Sequence, residues 1–197
     1  MANSSSHSFR CPNCGTEYSV TLHDIINVGE CPELKPLVLN GELFLIECPR
    51  CGRRQVAKRP LVYLDPEEKL LVLLSDKSAS MEDAPGYTAR LVETAGDLIE
   101  KVKIFDAGLD DKAVELCKYV TKQDIAKPDA ELKFLRLDGA DGELIFAYPE
   151  GGEMQMIAVG FSSYEDCRGI IARNSAVADR AKGLVRIDEA WVSSLLR

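Results

Sequence analysis

Two short cysteine motifs, Cys11-Pro12-Asn13-Cys14-Gly15 and Cys48-Pro49-Arg50-Cys51-Gly52, decide how the N-terminal part of this chain folds. In each motif two cysteines stand three positions apart, so one tight turn can present both sulfurs to the same ion. Proline after the first cysteine restricts the backbone of the turn, and glycine after the second can adopt the positive φ with which the chain leaves it. Together the motifs offer the four sulfur ligands of a tetrahedral structural metal site.

The donor set indicates a closed structural site for one zinc ion, although iron in a rubredoxin-like site takes the same ligands and is not excluded. Backbone N–H groups in such turns can point at the sulfurs and offset their charge. A thioredoxin-like redox motif would instead have one CxxC at the start of a helix in a βαβ unit, whereas both motifs here lie in strand-rich sequence. The predicted metal ligands are Cys11, Cys14, Cys48 and Cys51.

The two cysteine pairs are separated by residues 15–47, a gap of 33 residues. Zinc ribbons commonly have about 15–20 residues at this place. The longer gap is tolerable because the entropy of loop closure costs only about 0.6 kcal/mol for each doubling of loop length. Since the gap must return on itself, we expect the strands around Tyr18 and Phe44 to pair near the site.

The N-terminal part alternates polar and apolar residues in the period of two that is typical of half-buried strands. Segment 17–22 shows this pattern, and the strand-like segments 42–47 and 53–58 lead into and out of the second cysteine motif. Segments 61–64 and 69–74 flank a turn at Asp65-Pro66-Glu67-Glu68 and predict a hairpin. A short helical turn is expected near 32–39. Residues 1–8 are polar, lack the apolar core of a signal peptide and are expected to form a disordered lead-in.

The C-terminal part follows a polar linker at 75–85 and has helical spacing. One helix is predicted from apolar positions between Leu91 and Phe105, and a second one, capped by Asp110, should bury Ala113, Leu116, Cys117 and Val120. Segments 132–137, 143–148 and 154–161, joined at Asp141-Gly142 and Glu150-Gly151-Gly152, predict a three-stranded antiparallel meander. A capping box at 163–166 should open a helix that buries Cys167, Ile170, Ile171, Val177 and Ala178, and Asp188 should cap a last helix.

The predicted fold class is therefore α+β, with a β-rich zinc ribbon followed by a small α+β part of helices and a three-stranded meander. The predicted domains are residues 9–75 and 85–197. Seven cysteines, four of them in CxxC pairs, fit a reducing cytoplasm with a metal site better than a disulfide scaffold. A formal net charge of -8 disfavours diffuse binding to nucleic acid or anionic lipid, and no membrane-spanning segment is expected.

Further segments of the chain resemble the CpXC-domain proteins of bacteria and archaea, as the paired CPxC motifs do. These segments are Ile26-Asn27-Val28, Pro32-Glu33-Leu34-Lys35, Tyr63-Leu64-Asp65-Pro66, the run from Leu98 to Phe105, and Gly108-Leu109-Asp110-Asp111. The resemblance extends over most of the chain and is strongest across residues 9–75. It implies a zinc-ribbon-like N-terminal part with the four cysteines as ligands in a cytoplasmic bacterial protein, and it implies no activity.

Other candidates for a site have simpler structural explanations. Cys31, His7 and His23 are spare donors that a four-thiolate site does not need, and Cys117 and Cys167 are expected to be buried small residues. One basic cluster beside the second motif could contact nucleic acid or could offset the charge of the thiolates. Strand alternation would divide this cluster between two faces. Its members are Arg50, Arg53, Arg54, Lys58 and Arg59.

The sequence contains no Gly-rich phosphate loop, GxSxG or HExxH motif, and a four-thiolate zinc ion leaves no position for a reactive water. The pairs Asp110/Asp111 and Asp138/Asp141 are interpreted as cap and turn residues. The favoured hypothesis is a zinc-stabilised cytoplasmic binding or scaffold module that has a protein partner or self-associates. Alternatives are a nucleic-acid-associated zinc ribbon and an enzyme with a site in the C-terminal part.

Overall fold

The computed structural model describes residues 3–77, 85–139 and 142–196. Most of the predicted 75–85 linker, the residue Asp141 of the first meander turn, and Met1 and Ala2 lie outside these ranges. The chain divides into two compact units, Met1–Ile99 and Glu100–Arg197. Among the described residues, no helix is both long and apolar enough to cross a membrane.

The N-terminal unit is rich in short strands, in agreement with the α+β prediction. Its main sheet has five strands in the order β1-β2-β5-β6-β7, and a separate two-stranded sheet joins β3 to β4. A short helix and one 3-10 turn, Glu42–Phe44, lie between β2 and β3. The elements are β1 (Asn3–Arg10), β2 (Glu17–Asn27), α1 (Leu34–Leu39), β3 (Leu45–Glu47), β4 (Arg54–Val56), β5 (Leu61–Asp65), β6 (Leu70–Leu74) and β7 (Thr88–Val92).

The strand β1 contradicts the expectation of a disordered lead-in, because residues 3–8 pair with β2 in an antiparallel ladder. Most side chains of β1 are exposed, so its order comes from backbone hydrogen bonds and not from burial. The predicted pairing of the strands around Tyr18 and Phe44 is also wrong. Tyr18 pairs with Phe9 across β1 and β2, and β3 pairs with β4.

The predicted hairpin is confirmed: β5 and β6 pair antiparallel from Leu61/Leu74 to Asp65/Leu70. The N-terminal unit extends beyond the predicted linker, because β7 pairs parallel with β6 and completes the five-stranded sheet. Leu91 therefore belongs to a strand and not to the predicted helix, which begins only at Ala95. Thr94 and Asp97 form a reciprocal capping box there, with Asp97 N–H donating to Thr94 Oγ1 at 3.1 Å and Thr94 N–H donating to Asp97 Oδ2 at 3.0 Å.

The C-terminal unit packs helices on a three-stranded antiparallel sheet, order β10-β9-β8, which confirms the predicted meander. Its core includes Phe134, Phe146, Tyr164 and Trp191. The chain elements after β7 are α2 (Ala95–Asp106), which crosses the boundary between the units, α3 (Asp111–Asp124), β8 (Lys133–Asp138), β9 (Glu143–Glu150), β10 (Glu153–Val159), α4 (Phe161–Arg173), α5 (Ser175–Arg180) and α6 (Glu189–Leu195).

The helix caps of this unit are partly as predicted. Asp110 accepts from Lys112 N–H at 2.9 Å at the start of α3, and Asp188 accepts from Trp191 N–H at 2.9 Å at the start of α6. The proposed capping box at 163–166 is wrong, since these residues lie inside α4, which begins at Phe161. Cys167, Ile171 and Val177 are buried as expected. Three residues expected inside are exposed: Val120, Ile170 and Ala178.

Candidate metal centre

The two cysteine motifs form turns with the same backbone hydrogen bonds. Cys11 N–H donates to the Thr16 carbonyl at 2.9 Å and Gly15 N–H donates to the Cys11 carbonyl at 2.9 Å. The second turn repeats both contacts, from Cys48 to Arg53 and from Gly52 to Cys48, again at 2.9 Å. Gly15 and Gly52 have φ of 69° and 70°, which is the conformation that the glycine after each CxxC was expected to supply.

The turns sit at equivalent places in two strand pairs. The first joins β1 to β2, and the second joins β3 to β4. A side-chain contact links the pairs, since Gln55 Nε2 of β4 donates to the Tyr18 hydroxyl of β2 at 3.1 Å. Each pair of strands therefore positions its own turn. The 33-residue gap returns to the site in this way, and β2 does not have to pair with the segment around Phe44 as predicted.

The four cysteine sulfurs come together in one cluster. Sγ of Cys11 lies 3.6 Å from Sγ of Cys51, and Sγ of Cys14 lies 3.6 Å from Sγ of Cys48. All four Sγ atoms lie within 4.8 Å of one another. Four sulfurs at about 2.3 Å from a central ion in a tetrahedron would be separated by about 3.8 Å, so the arrangement fits a tetrahedral metal ion.

Local hydrogen bonds and burial shift the pKa values of three of these thiols. The side chain and then the backbone N–H of Thr16 lower the pKa of Cys14 to about 6. The backbone N–H of Arg53 and the Asn13 side chain lower the pKa of Cys51. Burial raises the pKa of Cys48 to about 11, although the backbone N–H groups of Arg50 and Cys51 act in the opposite direction. Backbone amides thus point at the sulfurs, as predicted, and a bound cation would hold the buried thiol as thiolate.

The remaining cysteines and histidines lie outside the cluster. Cys31 is half-buried, and Cys117 and Cys167 are in the core of the C-terminal unit, as expected for small packed residues. The four clustered Sγ atoms are enough ligands for a tetrahedral ion, so none of these residues is needed as a ligand. His23 Nδ1 lies 3.0 Å from Ser4 Oγ.

A serine, a histidine and an aspartate meet on β1 and β2, and no pattern in the sequence predicts this group. Ser5 Oγ lies 2.9 Å from His7 Nε2, and Asp24 Oδ1 lies 2.8 Å from the same nitrogen. A catalytic triad needs the nucleophile and the carboxylate on opposite ring nitrogens. With both on Nε2, the group cannot work as a triad and is a polar contact between strands.

Arg59, one residue of the basic cluster, is mostly buried and forms an ion pair with Asp24. Arg59 has an 8% exposed side chain, and its Nη1 lies 3.6 Å from Asp24 Oδ1. The other four cations, Arg50, Arg53, Arg54 and Lys58, are exposed. Arg50 and Arg53 flank Cys51 along the chain, and four thiolates with a divalent ion would carry excess negative charge, which agrees with a charge-offsetting role.

Two strand-flanked CxxC turns thus bring four sulfurs together in a β-rich N-terminal unit, in a cluster that could hold a metal ion. The chain matches the family model of the CpXC protein over residues 9–118, more than half its length, and it belongs to that family. Comparisons with curated proteins and with solved structures found no match.

Proposed function

We propose that the four cysteines hold one zinc ion whose role is structural. The observation that carries this proposal is the closed geometry of the sulfur cluster, with all four Sγ atoms within 4.8 Å of one another. Four protein thiolates fill a tetrahedral coordination shell and leave no open position for water or substrate, so the ion would hold the two strand-flanked turns together and would not catalyse a reaction.

The zinc assignment predicts that the full chain, purified without added metal, contains about one equivalent of zinc per chain by elemental analysis. A variant with serine at the half-buried Cys31, which lies outside the cluster, should retain the same content. One equivalent of iron in place of zinc would contradict the choice of metal. A chain with neither metal, purified under reducing conditions, would contradict the site itself.

We also propose that the protein acts in the cytoplasm as a binding or scaffold module. Four free thiols in a metal cluster agree with a reducing compartment. An apolar pocket of the C-terminal unit, lined by residues such as Leu116, Ile171 and Val192, has no titratable side chain in its lining and suits apolar contacts. Full-length tagged protein recovered from its native host should carry a stoichiometric partner or a second copy, and recovery of the bare monomer would contradict the role.

Nucleic acid is the second candidate, because Arg50, Arg53, Arg54 and Lys58 are exposed beside the metal cluster. The binding-module proposal predicts no shift of single-stranded RNA or duplex DNA of mixed sequence at roughly 50 mM salt, where phosphate contacts are strong. Binding that weakens with salt and is lost in Arg53→Glu/Arg54→Glu, but persists in the matched pair Arg168→Glu/Arg173→Glu on α4, would replace the protein-partner role by a nucleic-acid role.

A further inference from the structure

The two edges of the C-terminal sheet differ in how they are protected. The outer strand β8 carries Lys133, Arg136 and Asp138, and its pairing with β9 shifts register between Phe134 and Arg136. Charged side chains and bulges are the usual devices that prevent an edge strand from pairing with another chain. The opposite edge, β10, pairs with β9 in unbroken register over residues 153–159 and has one charged residue, Glu153, and no proline or lysine.

The side chains of β10 alternate between the core and the solvent. Ile157 and Val159 pack against the core of the unit, whereas Met154 and Met156 on the other face are 63% and 64% exposed. Across β9, Met156 pairs with the buried Ala147. The outer face of the sheet is thus apolar beside β10, and it becomes charged at β8, where Lys133 pairs with Ala147.

Within the described residues, β9 is the only strand paired with β10, so one row of its backbone N–H and C=O groups faces away from the sheet. Groups in this arrangement are complementary to another β-strand. For a second copy of β10, the position of its one charged residue, Glu153, favours one orientation. In a parallel copy the two Glu153 carboxylates would lie side by side, whereas in an antiparallel copy centred on Met156 they lie at opposite ends, about 20 Å apart.

We propose that β10 pairs antiparallel with β10 of a second copy of this chain and forms a two-fold dimer with a continuous six-stranded sheet. Centred on Met156, this register places Met156 opposite its own counterpart, Met154 opposite Ala158, and Glu153 opposite Val159, so no like charges meet. The exposed methionines cover one another, and their flexible thioethers adapt to the contact. The inference rests on the interaction role proposed above and names its partner.

The test measures the mass of the full chain by sedimentation or light scattering over a roughly hundredfold range of concentration. The wild type should shift from monomer to dimer as concentration rises. Met156→Lys and Met156→Glu each place two like charges opposite one another at the two-fold axis, and each should raise the dimer dissociation constant more than about tenfold. An equimolar mixture of the two variants should recover the dimer, because opposite charges then meet at the axis.

Val120→Lys is the matched control, since Val120 is also an exposed apolar residue but lies on α3, and it should dimerise like the wild type. A wild type that stays monomeric throughout, a Met156→Lys variant that dimerises normally, or a mixture that stays monomeric would overturn the proposal. Zinc content is measured on the same samples. Its absence would contradict the metal proposal alone, because β10 lies in the other unit of the chain.

Discussion

A chain with serine at both Cys48 and Cys51 is expected to bind no metal and to lose the structure of its N-terminal unit while the C-terminal unit stays folded. Two of the four sulfurs would be gone, and two thiolates cannot hold a structural ion in a closed shell. Metal binding in small zinc modules contributes about 10–16 kcal/mol to folding, which is comparable to the whole stability of a domain. The strand pairs β1/β2 and β3/β4, which flank the turns, should be affected first.

Hydrogen exchange measured by mass spectrometry separates this outcome from general unfolding. Amides of β2 and β4 should lose their protection in the double variant, whereas amides of α3 and β9 should keep theirs. Cys31→Ser is the matched control, because it removes a half-buried thiol outside the cluster and should leave both metal content and exchange unchanged. Unaltered metal content and unaltered protection in the double variant would refute the structural role of the site.

The four-cysteine cluster could be predicted because its information is local. Cysteine, proline and glycine at fixed offsets specify each turn, and both turns have the expected backbone hydrogen bonds and positive-φ glycines. How the 33-residue gap closes could not be predicted, because it depends on contacts between distant segments. The side chain of Gln55 donates a hydrogen bond to the hydroxyl of Tyr18. A single contact between two distant side chains produces no periodic pattern in the sequence that could predict it.

The fold shows the same division between local and distant information. The β5/β6 hairpin and the meander were predicted from turns and alternation, which are short-range patterns. The strand β1 was missed because its residues, half of them serines, carry no hydrophobic pattern, and only the ladder with β2 orders them. Leu91 was assigned to a helix because its spacing to later apolar residues is helical, although parallel pairing with β6 makes it part of a strand.

Sequence reasoning also missed a buried ionic network in the C-terminal unit. Lys118 Nζ lies 2.9 Å from Glu100 Oε1 and 2.9 Å from Glu115 Oε1. Lys101 Nζ donates to the Ile187 carbonyl at 2.9 Å and lies 3.2 Å from Asp111 Oδ2. These five ionisable residues, Glu100, Lys101, Asp111, Glu115 and Lys118, are each 9% exposed or less. Charged residues at this spacing along α2 and α3 also occur on solvent-exposed helix faces. The sequence therefore does not indicate that they are buried, because their burial depends on partners that are distant along the chain.

The network connects the family-matched part of the chain with the part that follows it. The match to the CpXC family ends at residue 118, but Glu100 Oε1 accepts from Phe134 N–H at 2.7 Å and Lys101 needs the carbonyl of Ile187. Buried charges without such partners are strongly destabilising. The residues after 118 therefore complete the hydrogen bonding of α2 and α3, and the C-terminal segment is an integral part of its unit and not an appendage.

Lys118→Met is expected to destabilise the C-terminal unit by about 3–5 kcal/mol at pH 7, because it leaves the carboxylates of Glu100 and Glu115 buried without their shared ammonium group. Chemical denaturation measures the effect. The matched control is Lys182→Met, which removes the ion pair with Asp179 on the exposed surface and should leave the denaturation midpoint close to that of the wild type. Equal midpoints for the two variants would show that the buried network does not stabilise the fold.

The loss should also depend on pH in a defined direction. Burial alone would raise the pKa of Glu115, but Lys118 and Lys101 hold it below its ordinary value. A carboxyl with a lowered folded-state pKa stabilises the protein above its ordinary titration range, and that contribution disappears as pH falls through the folded pKa. Without Lys118, the burial that opposes ionisation of Glu115 is less compensated, so the pKa of this carboxyl rises and it takes up a proton more readily. The difference between variant and wild type should therefore shrink between pH 7 and about pH 5, and a difference that grows on acidification would contradict this account.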